Sequence, residues 1–244
     1  RFLTGKKTAL RLRREKFRLN LKLLGPCVAL GLSPFIMQST ESLIAVCFNS
    51  SLLRYGGTLA VGTMTILTSI MQFAMLPLQG LTQAAQPIIS YNYGANQPER
   101  VKRGFWLLFR CSVIYAAALW GMAMLFPQVF VGMFTPDPEL TAYAVPAVRI
   151  YMAASLLFGV QLSCQQTFVA LGNAKSSLFL AVLRKLILLI PLIYLLPAIL
   201  PDKVSAVFLA EPVADVLAVT TTAILFSVQF TRTLKRMRGE KAPQ

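Results

Sequence analysis

CSVIYAAALWGMAMLFPQVFVGMFTP, residues 111–136, runs from Arg110 to Asp137 without a single charge. An α-helix rises about 1.5 Å per residue, so this stretch can cross the ~30 Å hydrocarbon layer of a bilayer. Helices on the surface of soluble proteins carry a polar face, and this one has none. Two further stretches share the property, since nothing charged occurs between Arg54 and Glu99 or between Arg149 and Lys175. Over the 244 residues, 56% are apolar and 14% charged, and mean hydropathy is +0.62, too apolar for one soluble core of this length. Lipid is the expected solvent.

A net charge of +15 and a pI near 10.2 would point to nucleic acid in a soluble protein. The placement of the basic residues points elsewhere. They gather in residues 1–22, at Arg100, Lys102 and Arg103, at Lys175, and after Phe230. These are the ends of apolar runs, whereas a groove-binding patch spreads over a folded face. No nucleic-acid partner is expected. Cys27, Cys47, Cys111 and Cys164 stand singly in apolar runs and histidine is absent, so no metal spacing or disulfide framework is legible, and the cysteines are expected to pack as small core residues. No phosphate-binding glycine loop occurs, which argues against direct ATP drive, and no cofactor is expected. The chain opens at Arg1 with no start methionine and no signal-type apolar segment, so it is expected to begin partway through a longer protein.

Prolines, glycines and charges divide the apolar sequence into six helical spans, about 23–53, 58–93, 104–134, 141–171, 176–200 and 204–230, an all-α integral membrane architecture. Pro34 is expected to kink the first span, and Tyr55-Gly56-Gly57 to turn the chain. The second is long enough for two crossings, but that would put Arg100, Lys102 and Arg103 opposite the basic N-terminus. One helix broken near Pro77 or Gly80 is expected instead. Thr135-Pro136-Asp137-Pro138-Glu139 forms an acidic loop, and Gly172-Asn173-Ala174-Lys175 a glycine helix terminus followed by a cation. Arg184 and Lys185 are expected near the start of the fifth span, snorkelling to the interface. Six passes return both basic ends to one side, which the positive-inside rule makes cytoplasmic. Residues 1–22, with apolar residues among nine basic ones, suit a segment lying on an anionic leaflet, and a solvated positive flank explains nearly as much. Residues 232–244 form a basic tail.

Four stretches in order carry a resemblance: Phe17–Lys22 with Leu30-Gly31-Leu32-Ser33-Pro34-Phe35-Ile36-Met37-Gln38; Pro77-Leu78-Gln79-Gly80-Leu81 with Gln86-Pro87-Ile88-Ile89-Ser90-Tyr91-Asn92-Tyr93-Gly94-Ala95; Leu171-Gly172-Asn173-Ala174-Lys175 with Leu183-Arg184-Lys185 and Ile190-Pro191-Leu192; and Glu211-Pro212-Val213-Ala214-Asp215. Together they resemble the multidrug and toxic compound extrusion (MATE) family, in particular its MepA-like branch. The resemblance implies two six-helix lobes related by a pseudo-two-fold axis, with this chain similar to helices seven to twelve and residues 1–22 similar to the linker between lobes. A half-length protein that dimerises is the alternative. It also implies secondary efflux of cationic or hydrophobic drugs against H+ or Na+ at the cell membrane. The implied partners are membrane lipid, an N-terminal six-helix lobe and small-molecule drugs, and the implied activity is transport rather than catalysis. A lipid-linked oligosaccharide flippase and a non-transporting scaffold are the rival readings. A flippase would want arginine or lysine at mid-membrane, and Arg110, Arg184 and Lys185 are expected near helix ends.

Glu41 is the one acid inside the first span, where a carboxylate costs about 2.5–3.5 kcal/mol on insertion scales, so it is expected to face protein or a wet cavity. The resemblance implies a cation- or drug-binding role for it, and a structural Glu bonded to neighbouring polar groups is the alternative. Relatives of the NorM branch pair such a carboxylate with an aspartate on the fourth span of the lobe. Phe158-Gly159-Val160-Gln161 carries no acid there, so that pairing is not carried over. Glu211 and Asp215, at i and i+4, read either as a paired-acid proton site or as carboxylates bonding across helices. Gln38, Asn49, Gln72, Gln161, Gln165 and Gln166, interleaved with Phe35, Met37, Met71, Met75, Tyr151 and Phe158, suit a promiscuous cavity for hydrophobic cations. The same residues also suit ordinary contacts between helices.

Overall fold

The computed structural model describes the backbone of residues 21–239 and the side chains of residues 39–173, 176–177 and 179–239. Residues 1–20 and 240–244, hence most of the basic flank and the end of the tail, lie outside the described residues. The chain divides into two units, Arg1–Leu43 and Ile44–Gln244. The described backbone of the first is helical.

Among the described residues there are helices and no strand: α1 Leu21–Gly94, α2 Pro98–Leu125, α3 Pro127–Gly132, α4 Pro138–Tyr151, α5 Phe158–Ala170, α6 Ala174–Val182, α7 Ile190–Ile199 and α8 Lys203–Met237. A 3-10 turn, Ser155–Leu157, precedes α5, and a π-helical segment, Leu183–Leu189, joins α6 to α7. Hydrocarbon offers backbone groups no hydrogen-bond partner, so helices are what such a sequence must form. Four helical stretches are long and apolar enough to span a membrane, and a bent pair, Pro138–Tyr151 with Ser155–Ala170, makes a fifth.

The first of these, Ser39–Gly94, has 56 residues. At 1.5 Å each that is about 84 Å, far more than one hydrocarbon thickness. Gly57 divides it, with φ 67° and ψ −159°, a conformation open to a residue without a Cβ. Val46 and Val61 line one groove, although a straight helix would hold them about 22 Å apart, so the chain folds back there. With Ser39–Gly94 counted as two rods, the candidate spans among the described residues make six. The break expected near Pro77 or Gly80 is absent, because Gly57 alone leaves helical φ/ψ in α1. A proline ring fixes φ near a helical value and removes a single hydrogen bond, a loss that apolar membrane helices tolerate.

Other expected spans are interrupted where neither composition nor length marks it. The 104–134 span begins at Pro98 and breaks at Phe126, φ −126° and ψ 51°, because the position before Pro127 disfavours helix. The 141–171 span begins at Pro138, where the Asp137 carboxylate accepts the Glu139 N–H at 3.0 Å, and it bends by 46° between Tyr151 and Ser155. The 176–200 span carries the π segment, and the 204–230 span continues to Met237. Asp202 caps α8 by accepting the Ser205 N–H at 3.3 Å, and hydrogen bonding to Ser205 holds its carboxyl below the ordinary carboxylate value. That contribution is present at neutral pH and lost as the pH falls through the lowered value.

Two apolar clusters fill the unit Ile44–Gln244. One gathers both rods of α1 with α4, α7 and the first turns of α8; the other gathers Phe105, Phe168, Phe226 and Phe230 with neighbouring aliphatics. Phe226 and Phe230 stack at 4.9 Å, and Phe105 and Phe168 pack on Phe226 at 4.7 and 5.1 Å. Outward, Ile114 and Leu125 are 69% and 70% exposed on α2, a face suited to lipid. Cys47 and Cys164 are buried as expected, but Cys111 is exposed on α2. Gly159 lets α5 approach α2, since a Cβ there would lie 2.6 Å from the Ser112 carbonyl oxygen and 2.8 Å from the Val113 Cα.

Gly159→Ala is expected to lower the thermal midpoint of the detergent-solubilised protein at a cost of about 1–3 kcal/mol. Gly80→Ala, whose Cβ would meet nothing within 4 Å, should leave it unchanged or slightly raised. Equal midpoints for the two variants would contradict the close approach.

Candidate functional site

Arg184 lies on the π-helical turn between α6 and α7, about 15 Å along the rod from Ala174 and about 22 Å from Ile199. Its guanidinium forks across to α8, where Nε donates to Asp215 Oδ1 at 2.5 Å and an Nη to Glu211 Oε1 at 3.1 Å. The acids stand one helical turn apart, so one planar guanidinium reaches both. Side-chain exposure is 2% for Asp215, 11% for Glu211 and 21% for Arg184. The other face of the guanidinium lies over the Phe158 ring, 5.6 Å from its centre. Lys185 and the buried Tyr151 stand close enough to both acids to share their field. Two cations and two carboxylates make a cluster of zero formal charge. A proton added to either acid would remove one arm of the fork and leave positive charge in excess.

This corrects the expectation for Arg184, which does not snorkel from a helix end but sits mid-rod against two acids. A snorkelling side chain keeps its charge in water at little cost, but from mid-rod water is out of reach and only a carboxylate can neutralise the charge. A signal was present in the sequence. Counted away from the loop at Leu200–Asp202, Arg184 and Asp215 lie sixteen and thirteen residues along antiparallel rods, so they meet at similar depth.

The cluster belongs to a polar belt between the two apolar clusters. One apolar cluster stops at Leu119, Met152, Leu189 and Ala214; the other starts at Leu108, Cys164, Leu180 and Phe226. Between those limits lie Ser112 on α2, Ser155, Gln161 and Ser163 on the bent pair, Arg184 and Lys185, and Asp215 and Thr222 on α8. Buried Ser112 Oγ, Ser155 Oγ, Gln161 Oε1, Asp215 Oδ2 and Thr222 Oγ1 have no hydrogen-bond partner among the described residues. Buried polar atoms left this way bind water or an ion, since a dry unpaired one costs about 1–3 kcal/mol. Hydroxyl, amide and carboxylate oxygens gathered at one level, rich in acceptors, suit a proton, a hydrated cation or a polar substrate group.

The expected site residues do not form one constellation. Phe158, Gln161, Glu211 and Asp215 belong to the belt and its ion cluster, and Gln165, half-buried, stands one turn beyond Gln161 on α5. Asn49 lines a separate groove of about 360 Å³ with Val46, Ser50, Leu53, Thr58 and Val61. Met71 is partly buried against the first apolar cluster, and Gln72 is exposed. The side chains of Phe35 and Gln38 lie outside the described residues. Glu41, in the unit Arg1–Leu43, is exposed and holds an interaction of its own.

Comparison with known proteins gives this arrangement a family. The model of the MatE family matches residues 34–195. The chain belongs to the MatE family. Similar to this MatE chain is the multidrug export protein MepA of Staphylococcus aureus (strain NCTC 8325 / PS 47), 23% identical over 208 residues, covering 84% of the chain and 46% of MepA. Among solved structures, a MATE family multidrug resistance transporter of the MOP superfamily in its inward-facing conformation shares the fold at TM-score 0.84 and 16% identity, covering 95% of the chain and 53% of that structure. The MATE multidrug transporter DinF-BH matches at TM-score 0.74 and 34% identity, covering 93% of the chain and 50% of that structure. The MatE chain thus spans about half the length of these relatives and is a multi-pass helical membrane protein.

Arg184→Met is expected to destabilise the detergent-solubilised MatE chain by about 3–5 kcal/mol, since it leaves two buried acids facing Lys185 alone. Adding Glu211→Gln to that variant, which pairs Asp215 with Lys185, should restore most of the loss. A thermal midpoint indifferent to Arg184→Met would mean that the ion cluster does not hold α8 to the α6–α7 rod.

Proposed function

We propose that this chain is one lobe of a secondary multidrug exporter at the cell membrane, which moves cationic or hydrophobic drugs outward while H+ or Na+ enters. The observation that carries the reading is membership of the MatE family by a helical lobe spanning about half of its relatives' length. In this reading an N-terminal six-helix lobe supplies the other half, the drug path runs between lobes, and both basic ends face the cytoplasm. Glu41, exposed on its own unit, faces that path and exchanges the coupling cation. Phe158, Gln161, Gln165, Met71 and Asn49 offer aromatic, amide and thioether surface for varied drugs. Asn49, Gln72, Phe35 and Gln38 lie on the same long helical element as Glu41.

The energetics are sufficient. One net charge entering through 100 mV, as when one cation exchanges for a neutral drug or two for a singly charged one, releases about 2.3 kcal/mol, which supports a drug gradient of roughly fiftyfold. The flippase alternative gains no support from Arg184, because Glu211 and Asp215 take up its charge.

Expressed from its complete reading frame and reconstituted in vesicles, the protein is expected to export a fluorescent cationic dye only while a pH or Na+ gradient is maintained. Glu41→Gln should slow that export about tenfold or more with the protein's amount and thermal midpoint unchanged. Dye efflux that persists after ionophores collapse both gradients would refute the antiport reading.

A further inference from the structure

At the end of the unit where α2 begins and α8 ends, a cavity of about 220 Å³ opens beside Tyr93, Gly172, Asn173, Gln229, Thr233 and Arg236. Gln229, Thr233 and Arg236 stand at i, i+4 and i+7, so α8 turns one polar stripe toward it. The amide side-chain oxygens in this wall are already used. Gln229 Oε1 accepts from Asn173 Nδ2 at 2.6 Å and lies 3.1 Å from the Ser176 hydroxyl, which is also 3.2 Å from Asn173 Oδ1. The Gln229 carbonyl accepts from the Thr233 hydroxyl at 2.9 Å. Donors are what is left: the Gln229 amide NH2, the second Asn173 N–H and the Arg236 guanidinium, which makes no ion pair among the described residues.

The charge around the cavity has the same sign. Arg232, Lys235 and Arg238 surround Arg236 on α8, and Arg100, Lys102 and Arg103 begin α2. Glu99 pairs with Arg238, which brings the two helix ends together and uses up the acid at the start of α2. Behind the donors, Phe168, Leu171 and Phe230 give the cavity an apolar floor.

We propose that this cavity is a phosphate-binding site, with the fork of Arg236 and the amide of Gln229 donating to a phosphate monoester or diester. A phosphate offers acceptor oxygens, which matches a guanidinium and amide N–H groups whose neighbouring side-chain amide oxygens are consumed internally. The volume is several times the ~30 Å³ of one liquid water, which admits a phosphate group. The bound phosphate would tie the end of α1 at Tyr93, the turn between α5 and α6, and the tail of α8. Its source is either a lipid headgroup or a soluble phosphate.

The test uses the full chain, purified and returned to vesicles of phosphatidylcholine with a minor fraction of phosphatidylglycerol. Lipid retained by the protein is read by native mass spectrometry, with and without inorganic phosphate as competitor. Arg236→Gln is expected to reduce retention of phosphatidylglycerol about tenfold, Arg236→Lys by less, and Arg232→Gln, a cation outside the cavity, hardly at all. Retention that resists inorganic phosphate assigns the site to lipid; inorganic phosphate that binds in its place, with the same dependence on Arg236, assigns it to a soluble phosphate. Equal losses in the Arg232 and Arg236 variants would show only a diffuse positive surface and overturn the proposal, as would binding of neither phosphate.

Discussion

An arginine carried on a membrane helix must find a carboxylate or reach water, and Arg184 finds two carboxylates. Insertion scales put the cost of a lone arginine at mid-membrane near 2.5–3.5 kcal/mol, and simulations of an isolated helix put it well above that. The fork to Glu211 and Asp215 removes this penalty only in one register of α8 against the α6–α7 rod. With that register set, Phe158 of the bent pair falls under the guanidinium, and the aromatic cluster of Phe105, Phe168, Phe226 and Phe230 closes further along α8. The ion cluster is therefore less a source of net stability than a device that excludes other packings, as buried polar groups do in some helical assemblies.

The irregular backbone follows the same logic. Gly57, Phe126, the turn at Met152–Ala154 and the π segment Leu183–Leu189 each leave regular α-helix. Irregular backbone at membrane depth is tolerated only when protein or a wet cavity covers it. Two of these breaks, the bend before α5 and the π segment, border the polar belt, where Tyr151, Phe158 and Arg184 meet. Two helix breaks and five unpartnered polar atoms thus share one level of the lobe.

The sequence by itself determined the class of the fold. Uncharged runs such as 111–136 exceed what a bilayer core needs, and that requirement is one of length and composition, which any single segment states on its own. The helix terminus at Gly172 and the turn at Gly57 are equally local, since each depends on one residue's backbone freedom. The ordered motifs also carried the family, because they are spread along most of the chain.

Only the tertiary structure decided which polar residues meet. Arg184 and Asp215 are 31 positions apart, and nothing within either segment says that the arginine points at α8 rather than up its own helix toward water. The π turn that aims it costs one shifted hydrogen-bond register and leaves no mark in composition. Amide side chains that look alike in sequence separate into the buried Gln161, the groove-lining Asn49 and the exposed Gln72, according to which neighbour each helix face turns toward. Apolar period and charge placement are properties of a segment, whereas the partner of a buried charge is a property of two segments at matching depth, and only packing brings them to it.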